Sequence, residues 1–254
     1  MKKSPFVLLF IFALSVVFAQ TPASKRTLFD FRADKRNSPP KISTATQKEV
    51  LSKVFKRYLT DDRRCKTDFD ASGSDYLSAA RNAGQFVPSV VDSSSGSFTA
   101  AGQMQTAYII SVGECNASHA DNYGSKRIAI FSGQQLIANL DINFNSSILR
   151  KTDLNRDGID ELLLSTGDMA QGTLVETAAL YSFEQGKATV IEDFGQVTED
   201  SCASGMPGST VKSAVIEIGG VNPAKMPKFK MDNYESPCRN VKRWRFVSTG
   251  KLDQ

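Results

Sequence analysis

Oxygen-bearing side chains recur on alternate residues in one stretch of this chain. Asp153, Asn155 and Asp157 are followed by Gly158, and an acid returns at Glu161. A hard cation such as Ca²⁺ takes about six to eight oxygen ligands, and donors on alternate residues converge when the backbone curls around the ion. A glycine at the sixth position of the loop permits that sharp curl.

The chemistry that this spacing predicts is calcium binding. The predicted ligands are Asp153, Asn155, Asp157, the backbone carbonyl of Ile159, and Glu161. The alternative is a surface turn rich in Asp and Gly that binds nothing. An EF-hand is excluded, because its twelfth position is a bidentate glutamate and the twelfth position here is Leu164. The apolar run 162–164 instead predicts a buried strand after the loop, ended by a turn at 165–167.

At these residues the chain resembles the FG-GAP and VCBS repeats, which are integrin-type calcium loops followed by an apolar strand. The resemblance covers residues 147–195 and implies calcium binding within a four-stranded, blade-like segment. The strands that it implies are 148–152, 161–165, 177–183 and 188–194, with a turn at Gln185 and Gly186. The chain carries one copy of the pattern, whereas a propeller needs about four to eight blades, so the resemblance does not imply a complete propeller.

The cysteines are a second set of residues that could form bonds or bind a metal. They are Cys65, Cys115, Cys202 and Cys238. Four cysteines allow three pairings, and we predict the sequential one, Cys65–Cys115 and Cys202–Cys238. Each bridge would stabilise the fold by roughly 3–4 kcal/mol in the loop-entropy model. A zinc site is the alternative, but no two cysteines have Cys-x-x-Cys spacing.

Residues 1–19 have the pattern of a secretory signal peptide. Lys2 and Lys3 precede an apolar run over residues 6–18, and small residues allow cleavage before Gln20. The alternative is an uncleaved anchor, for which the run is shorter than the span of about 20 residues that a bilayer requires. The sequence therefore predicts a secreted or periplasmic protein with no stable membrane anchor after cleavage.

Residues 20–42 predict a flexible linker. Proline, serine and charged residues are frequent there, and apolar residues show little periodicity. Leu28, Phe29 and Phe31 are exceptions that could dock onto the body of the protein.

The rest of the chain predicts a single, mainly β domain over residues 43–250, built as an antiparallel sheet, a sandwich or a blade-like fold. One or two short N-terminal helices precede the strands. The first is amphipathic and covers residues 47–60, and the second covers residues 76–83. A serine-rich stretch at 92–96 predicts a turn between strands.

Charge and motifs limit the classes of function. The net charge is +4, or +2 without Lys2 and Lys3, which is no signature of nucleic-acid binding. Basic residues between 225 and 245 could bind an anionic partner, although such residues usually form a solvated face. No nucleophile elbow, zinc-protease helix or Ser/His/Asp set is present, and His119 is the only histidine, predicted as a solvated loop residue.

These observations predict a protein that is not an enzyme and has no catalytic residues. We expect a calcium-stabilised binding or structural module whose partner is a protein or a glycan. The alternatives are a secreted hydrolase that uses a pair of carboxylates and a surface-acting envelope factor.

Overall fold

The computed structural model describes residues 26–33, 39–54, 89–111, 126–142, 146–219, 225–241 and 243–252. These residues form one α-helix and twelve β-strands, so the predicted mainly β fold with a short N-terminal helix is confirmed. The helix α1 is Thr44–Val54. The strands are β1 (Arg26–Asp30), β2 (Ser89–Gly96), β3 (Gln105–Ser111), β4 (Lys126–Ser132), β5 (Gln135–Asp141), β6 (Ser147–Thr152), β7 (Glu161–Ala170), β8 (Thr173–Ser182), β9 (Thr189–Asp200), β10 (Thr210–Ile218), β11 (Phe229–Pro237) and β12 (Arg245–Thr249).

The strands form two antiparallel sheets. The larger sheet has the order β12-β11-β10-β9-β8-β7-β6, with β1 paired to β10, and the smaller has the order β2-β3-β4-β5. The four strands predicted between residues 148 and 194 correspond to β6, β7, β8 and β9, and the same sheet then continues through β10, β11 and β12. The segment that contains the predicted calcium loop therefore lies at one edge of a larger sheet.

The predicted linker over residues 20–42 is wrong for its central part. Arg26–Asp30 is the strand β1, which pairs antiparallel with β10 from Arg26 opposite Ile218. Leu28 is fully buried and Phe31 nearly so, and the Phe31 N–H donates to the Ala214 carbonyl at 3.0 Å. Tertiary pairing supplies the hydrogen bonds and burial that the local composition does not predict.

Two predicted turns are also wrong, because strand pairing continues through them. Residues 92–96 belong to β2 and pair with β3, although their composition is typical of a turn. Residues 165–167 belong to β7 and pair with β8. The actual turn after β7 is at Gln171 and Gly172, which have φ angles of 50° and 80°.

The apolar run in β7 is buried on both faces, as the sequence predicts for a buried strand. Leu162 and Leu164 pack into a core that they share with the smaller sheet, where Ile109, Ile128 and Ile130 lie. Leu163 points to the opposite side and belongs to a second core. That second core contains Leu28, Phe31, Leu154, Ala178, Leu180, Phe194, Val197, Ala214, Ile216, Ile218 and Met231.

The helix α1 covers the outer face of the smaller sheet. Its buried residues Val50 and Val54 pack against Val90, Ile110 and Phe131. It begins three residues earlier than the predicted start at 47, because Ser43 Oγ accepts the Thr46 N–H at 3.1 Å and so caps the first turn. Residues 55–60 of this predicted helix, and the whole predicted helix over 76–83, lie outside the described residues.

The connection between β2 and β3 is organised by one buried amide. Gln105 is 1% exposed, and its Oε1 accepts the N–H groups of Phe98 and Thr99, both at 2.9 Å. Its Nε2 donates to Thr99 Oγ1 at 2.6 Å and to Gln103 Oε1 at 3.2 Å. This side chain therefore fixes the conformation of the connection, residues 97–104.

We expect Gln105→Leu to destabilise the protein by about 2–4 kcal/mol. Leucine has a similar volume but leaves the Phe98 and Thr99 N–H groups buried without partners, at about 1–3 kcal/mol each. Urea denaturation followed by far-ultraviolet circular dichroism measures the change. Gln135→Leu, at an exposed residue of β5, is the matched control, and an equal loss in both variants would contradict this role of Gln105.

Candidate metal centre

The predicted calcium loop is the connection between β6 and β7. Thr152 and Glu161 pair across the two strands, so the intervening residues 153–160 form a closed bend. Arg156 and Gly158 have φ angles of 61° and 84°, in the left-handed region where glycine is the favoured residue. The sharp curl that the sequence predicts at Gly158 is therefore present.

Three of the predicted side chains meet inside this bend. Asp153 accepts the Gly158 N–H through Oδ2 at 3.0 Å and the Asp157 N–H through Oδ1 at 3.2 Å. Asp157 Oδ1 accepts the Ile159 N–H at 2.8 Å, and its Oδ2 accepts from Asn155 Nδ2 at 2.7 Å. The side chains of Asp153, Asn155 and Asp157 are thus held together by hydrogen bonds within the loop.

The fourth predicted side chain, Glu161, lies on the buried side of the bend. Glu161 is 2% exposed, and its Oε2 accepts the Leu154 N–H at 2.8 Å. Burial is the main cause that raises the pKa of this carboxyl to about 7, and the charges of Asp157 and Asp153 add to the rise, while the Leu154 hydrogen bond opposes it. Glu161 is therefore a buried acid with two further acids nearby.

The acidic charge of the loop has no basic partner in the described structure. Across the described parts of the chain, no lysine or arginine forms an ion pair with Asp153, Asp157 or Glu161. Within those same parts, no three His, Cys, Asp or Glu side chains lie close enough to hold a metal ion by themselves. The carboxylates of Asp153, Asp157 and Glu161 would therefore have to move closer together around an ion, with the Asn155 amide and the Ile159 carbonyl completing the shell.

The donor set fits a hard cation in its chemistry. All the donors are oxygens, which Ca²⁺ prefers, and Ca²⁺ tolerates irregular coordination. Each carboxylate oxygen has two lone pairs, so an oxygen of Asp153 or Asp157 that accepts one N–H can also coordinate a cation. The types of donor, although not their present spacing, therefore fit a calcium ion at the bend.

A neighbouring contact was not predicted from the sequence. Asp160, between two predicted ligands, donates its N–H to the Ser97 carbonyl at 2.6 Å and accepts the Ser97 N–H through Oδ2 at 2.8 Å. Gly158 lies beside Ala101, where a Cβ on Gly158 would be 3.0 Å from the Ala101 Cβ. The loop is thereby seated on the β2–β3 connection, a partner 63 residues away in sequence that no local pattern indicates.

The described cysteines form one of the two predicted bridges. Cys202 and Cys238 are joined by a disulfide, with their Cα atoms 5.4 Å apart. Cys65 and Cys115 lie outside the described residues, as does His119.

Two of the basic residues between 225 and 245 are paired with acids. Lys230 pairs with Asp232 at 2.7 Å, and Arg245 pairs with Glu235 at 2.8 Å. Asp232 and Glu235 therefore neutralise the charge of these two residues.

Among the described residues, no helix combines the length and the apolar character needed to cross a membrane. A scan against models of known protein families found no match to the chain. Searches of curated proteins and of solved structures also found no match. Function is therefore inferred from the loop residues and their surroundings.

Proposed function

We propose that this protein is a secreted or periplasmic binding module stabilised by one calcium ion in the β6–β7 loop. The ligands are Asp153, Asn155, Asp157, the Ile159 carbonyl and Glu161. The observation that carries the proposal is the burial of Glu161 near enough to Asp153 and Asp157 for their charges to raise its pKa, with no basic residue paired to any of the three in the described structure. A divalent cation would neutralise that charge.

Electrostatics favour a cation at this position over an empty loop. A buried carboxylate without a paired charge is unfavourable, and its raised pKa expresses that cost. Asp153 and Asp157 increase the negative potential at the same place. Ca²⁺ is the better match than Mg²⁺, because Mg²⁺ demands near-octahedral geometry and usually retains several waters.

The role of the ion is structural in this proposal. It joins the end of β6 to the start of β7, and the loop in turn contacts the smaller sheet through Ser97. The resemblance of residues 147–195 to FG-GAP and VCBS repeats supports calcium binding. The disulfide Cys202–Cys238 supports export, because such bonds persist in oxidising compartments. A protein or glycan partner would then bind to the loops that this framework holds in place.

We expect calcium to raise the melting temperature of the chelator-treated protein by roughly 5–10 °C. At a free concentration one hundred times Kd, binding stabilises by about 2.7 kcal/mol, and each kcal/mol shifts a domain of this size by about 2–4 °C. Circular dichroism melts in calcium, magnesium and chelator measure the shift, and isothermal titration calorimetry gives the affinity. Magnesium should have a much smaller effect.

Asp153→Asn is the matched variant, because its amide oxygen can still accept the Gly158 N–H while the ligand charge is lost. Its melting temperature in chelator should fall only slightly, because the Asp157 N–H that loses Asp153 Oδ1 still has Asn155 Oδ1 as an acceptor, but it should lose most of the calcium shift. Asp193→Asn is the control. Like Asp153, Asp193 accepts a backbone N–H from a nearby residue, here Gly195 at 2.9 Å, but it lies in β9 and not in the loop. The proposal would be overturned if calcium neither raised the melting temperature of the wild-type protein nor gave a heat of binding on titration.

A further inference from the structure

The two sheets meet along their edge strands β2 and β6, and side chains make the connection. Neither strand pairs with the other through a backbone ladder. Instead, Asp92 Oδ2 in β2 accepts the Ile148 N–H of β6 at 2.8 Å, and Lys151 Nζ of β6 donates to the Ser95 carbonyl of β2 at 2.7 Å. We call this line of contacts the seam. It runs along β6 toward the calcium loop.

Asp160 forms the last contact of the seam, through two hydrogen bonds to Ser97. Its backbone N–H and its carboxylate bond to the carbonyl and the N–H of Ser97, at 2.6 and 2.8 Å. Lys151 Nζ lies 3.8 Å from the same carboxylate oxygen. A residue held by two hydrogen bonds to the β2–β3 connection has little freedom to rotate. The chain on either side of it is therefore fixed as well.

The chain on either side of Asp160 carries two of the proposed ligands. Ile159 precedes it and Glu161 follows it, so the Ile159 carbonyl and the start of the Glu161 side chain are each one residue from the contact. Asp160 itself points away from the bend, toward Ser97, and is not a proposed ligand.

Gly96 allows the close approach between Asp160 and β2. A Cβ added to Gly96 would lie 2.4 Å from Asp160 Oδ2, 2.8 Å from Lys151 Cδ and 3.0 Å from Phe98 Cζ. A side chain at residue 96 would therefore push the Asp160 carboxylate away from Ser97. On the far side of the contact, Gln105 binds the N–H groups of Phe98 and Thr99 and so holds Ser97 in place.

We propose that Asp160 is a positioning residue for the calcium site, through which calcium binding and the docking of the smaller sheet stabilise each other. This inference rests on the proposed calcium function. Asp160 fixes the backbone between Ile159 and Glu161 against Ser97, so that both donors are ordered before the ion arrives. Because coupling between two sites is reciprocal, the ion must in turn strengthen the Asp160–Ser97 contact.

The test compares Asp160→Ala, Asp160→Asn and Gly96→Ala in the full protein by calcium titration calorimetry. Asp160→Ala should bind calcium about tenfold more weakly, because it loses the side-chain bond to Ser97. Asp160→Asn should remain within about threefold of the wild type, since its amide oxygen can accept the same N–H. Gly96→Ala removes no acid but displaces the Asp160 carboxylate from Ser97, and it should weaken binding as Asp160→Ala does.

Hydrogen exchange distinguishes positioning from a general loss of stability. In the wild type, calcium should slow amide exchange in a peptide covering residues 93–105, which contains no proposed ligand. In Asp160→Ala, which keeps only the backbone bond to Ser97, this protection should be much weaker while protection of the loop residues 153–161 persists at saturating calcium. Asp193→Ala, at an exposed residue of β9, controls for loss of a surface acid.

The outcomes separate this inference from the function on which it rests. A wild-type protein that binds no calcium overturns both. Normal calcium binding in the wild type together with unchanged affinity in Asp160→Ala and Gly96→Ala overturns the positioning role alone. Equal weakening in Asp160→Asn and Asp160→Ala also overturns it, because the loss would then come from charge and not from the hydrogen bond.

Discussion

Replacing Glu161 with glutamine is expected to stabilise the calcium-free protein and destabilise the calcium-bound one. The carboxyl is buried, and its pKa is raised from the usual 4.5 to about 7. At pH 8 the carboxylate is charged, and the shift corresponds to about 3 kcal/mol of lost stability. Glutamine is neutral and can still accept the Leu154 N–H, so it should recover a large part of that loss.

With calcium present, the sign of the effect reverses. The amide side chain of the Glu161→Gln variant would offer one neutral oxygen where the wild type offers a charged carboxylate, and hard cations favour charged oxygen ligands. We expect the calcium-induced rise in melting temperature to fall by more than half. A purely structural role for a buried glutamate would not produce opposite signs in chelator and in calcium.

The pH dependence follows from the same raised pKa of Glu161. In chelator, the contribution of this group to stability is fully present below its unfolded pKa of about 4.5 and is lost as the pH rises through about 7. Chemical denaturation between pH 5 and pH 8 should show this loss in the wild type and not in Glu161→Gln. Glu192→Gln, at an exposed glutamate of β9, is the control. Parallel pH profiles for the wild type and Glu161→Gln would contradict the prediction.

Removal of the disulfide is expected to have the second large effect. Cys202 follows β9 and Cys238 follows β11, and 36 residues separate them in sequence. The loop-entropy model gives about 4 kcal/mol of stabilisation for a loop of this length, because the bridge restricts the unfolded chain. We expect the variant with serine at both positions to unfold at a markedly lower urea concentration with an unchanged circular dichroism spectrum before unfolding.

The double serine variant is a better test than a reducing agent. A reductant would also act on Cys65 and Cys115, whereas the substitution changes one bridge. It also leaves no unpaired thiol at residues 202 and 238, as a single substitution would. Ser204→Ala and Ser209→Ala, in the same connection between β9 and β10, control for changes in the local hydrogen bonds. A loss below about 1 kcal/mol would show that the bridge adds much less than the loop-entropy model gives.

The sequence predicts those parts of the fold that depend on short-range pattern. The run Leu162, Leu163 and Leu164 predicts a buried strand because consecutive apolar residues leave no face for solvent. The bend before it follows from alternate oxygen donors and Gly158. These features need only a few adjacent residues, and the structure contains both the strand and the curl.

The parts that sequence reasoning missed depend on partners distant in the chain. β1 lies in a stretch that resembles a linker, and it is a strand because β10, far along the chain, supplies its hydrogen bonds. The serine-rich end of β2 is a strand for the same reason, since β3 pairs with it along its length. The contact between Asp160 and Ser97 likewise joins two loops that no spacing rule connects.

The burial of β7 on both faces has a consequence for how the protein loses its structure. Leu162 and Leu164 belong to one core and Leu163 to the other, so the two faces of this strand pack into different cores. Removing either core would expose one side of β7 and leave the strand without half of its packing. Neither core can therefore unfold without destabilising the other. The described chain should unfold in one cooperative transition and not as two independent halves.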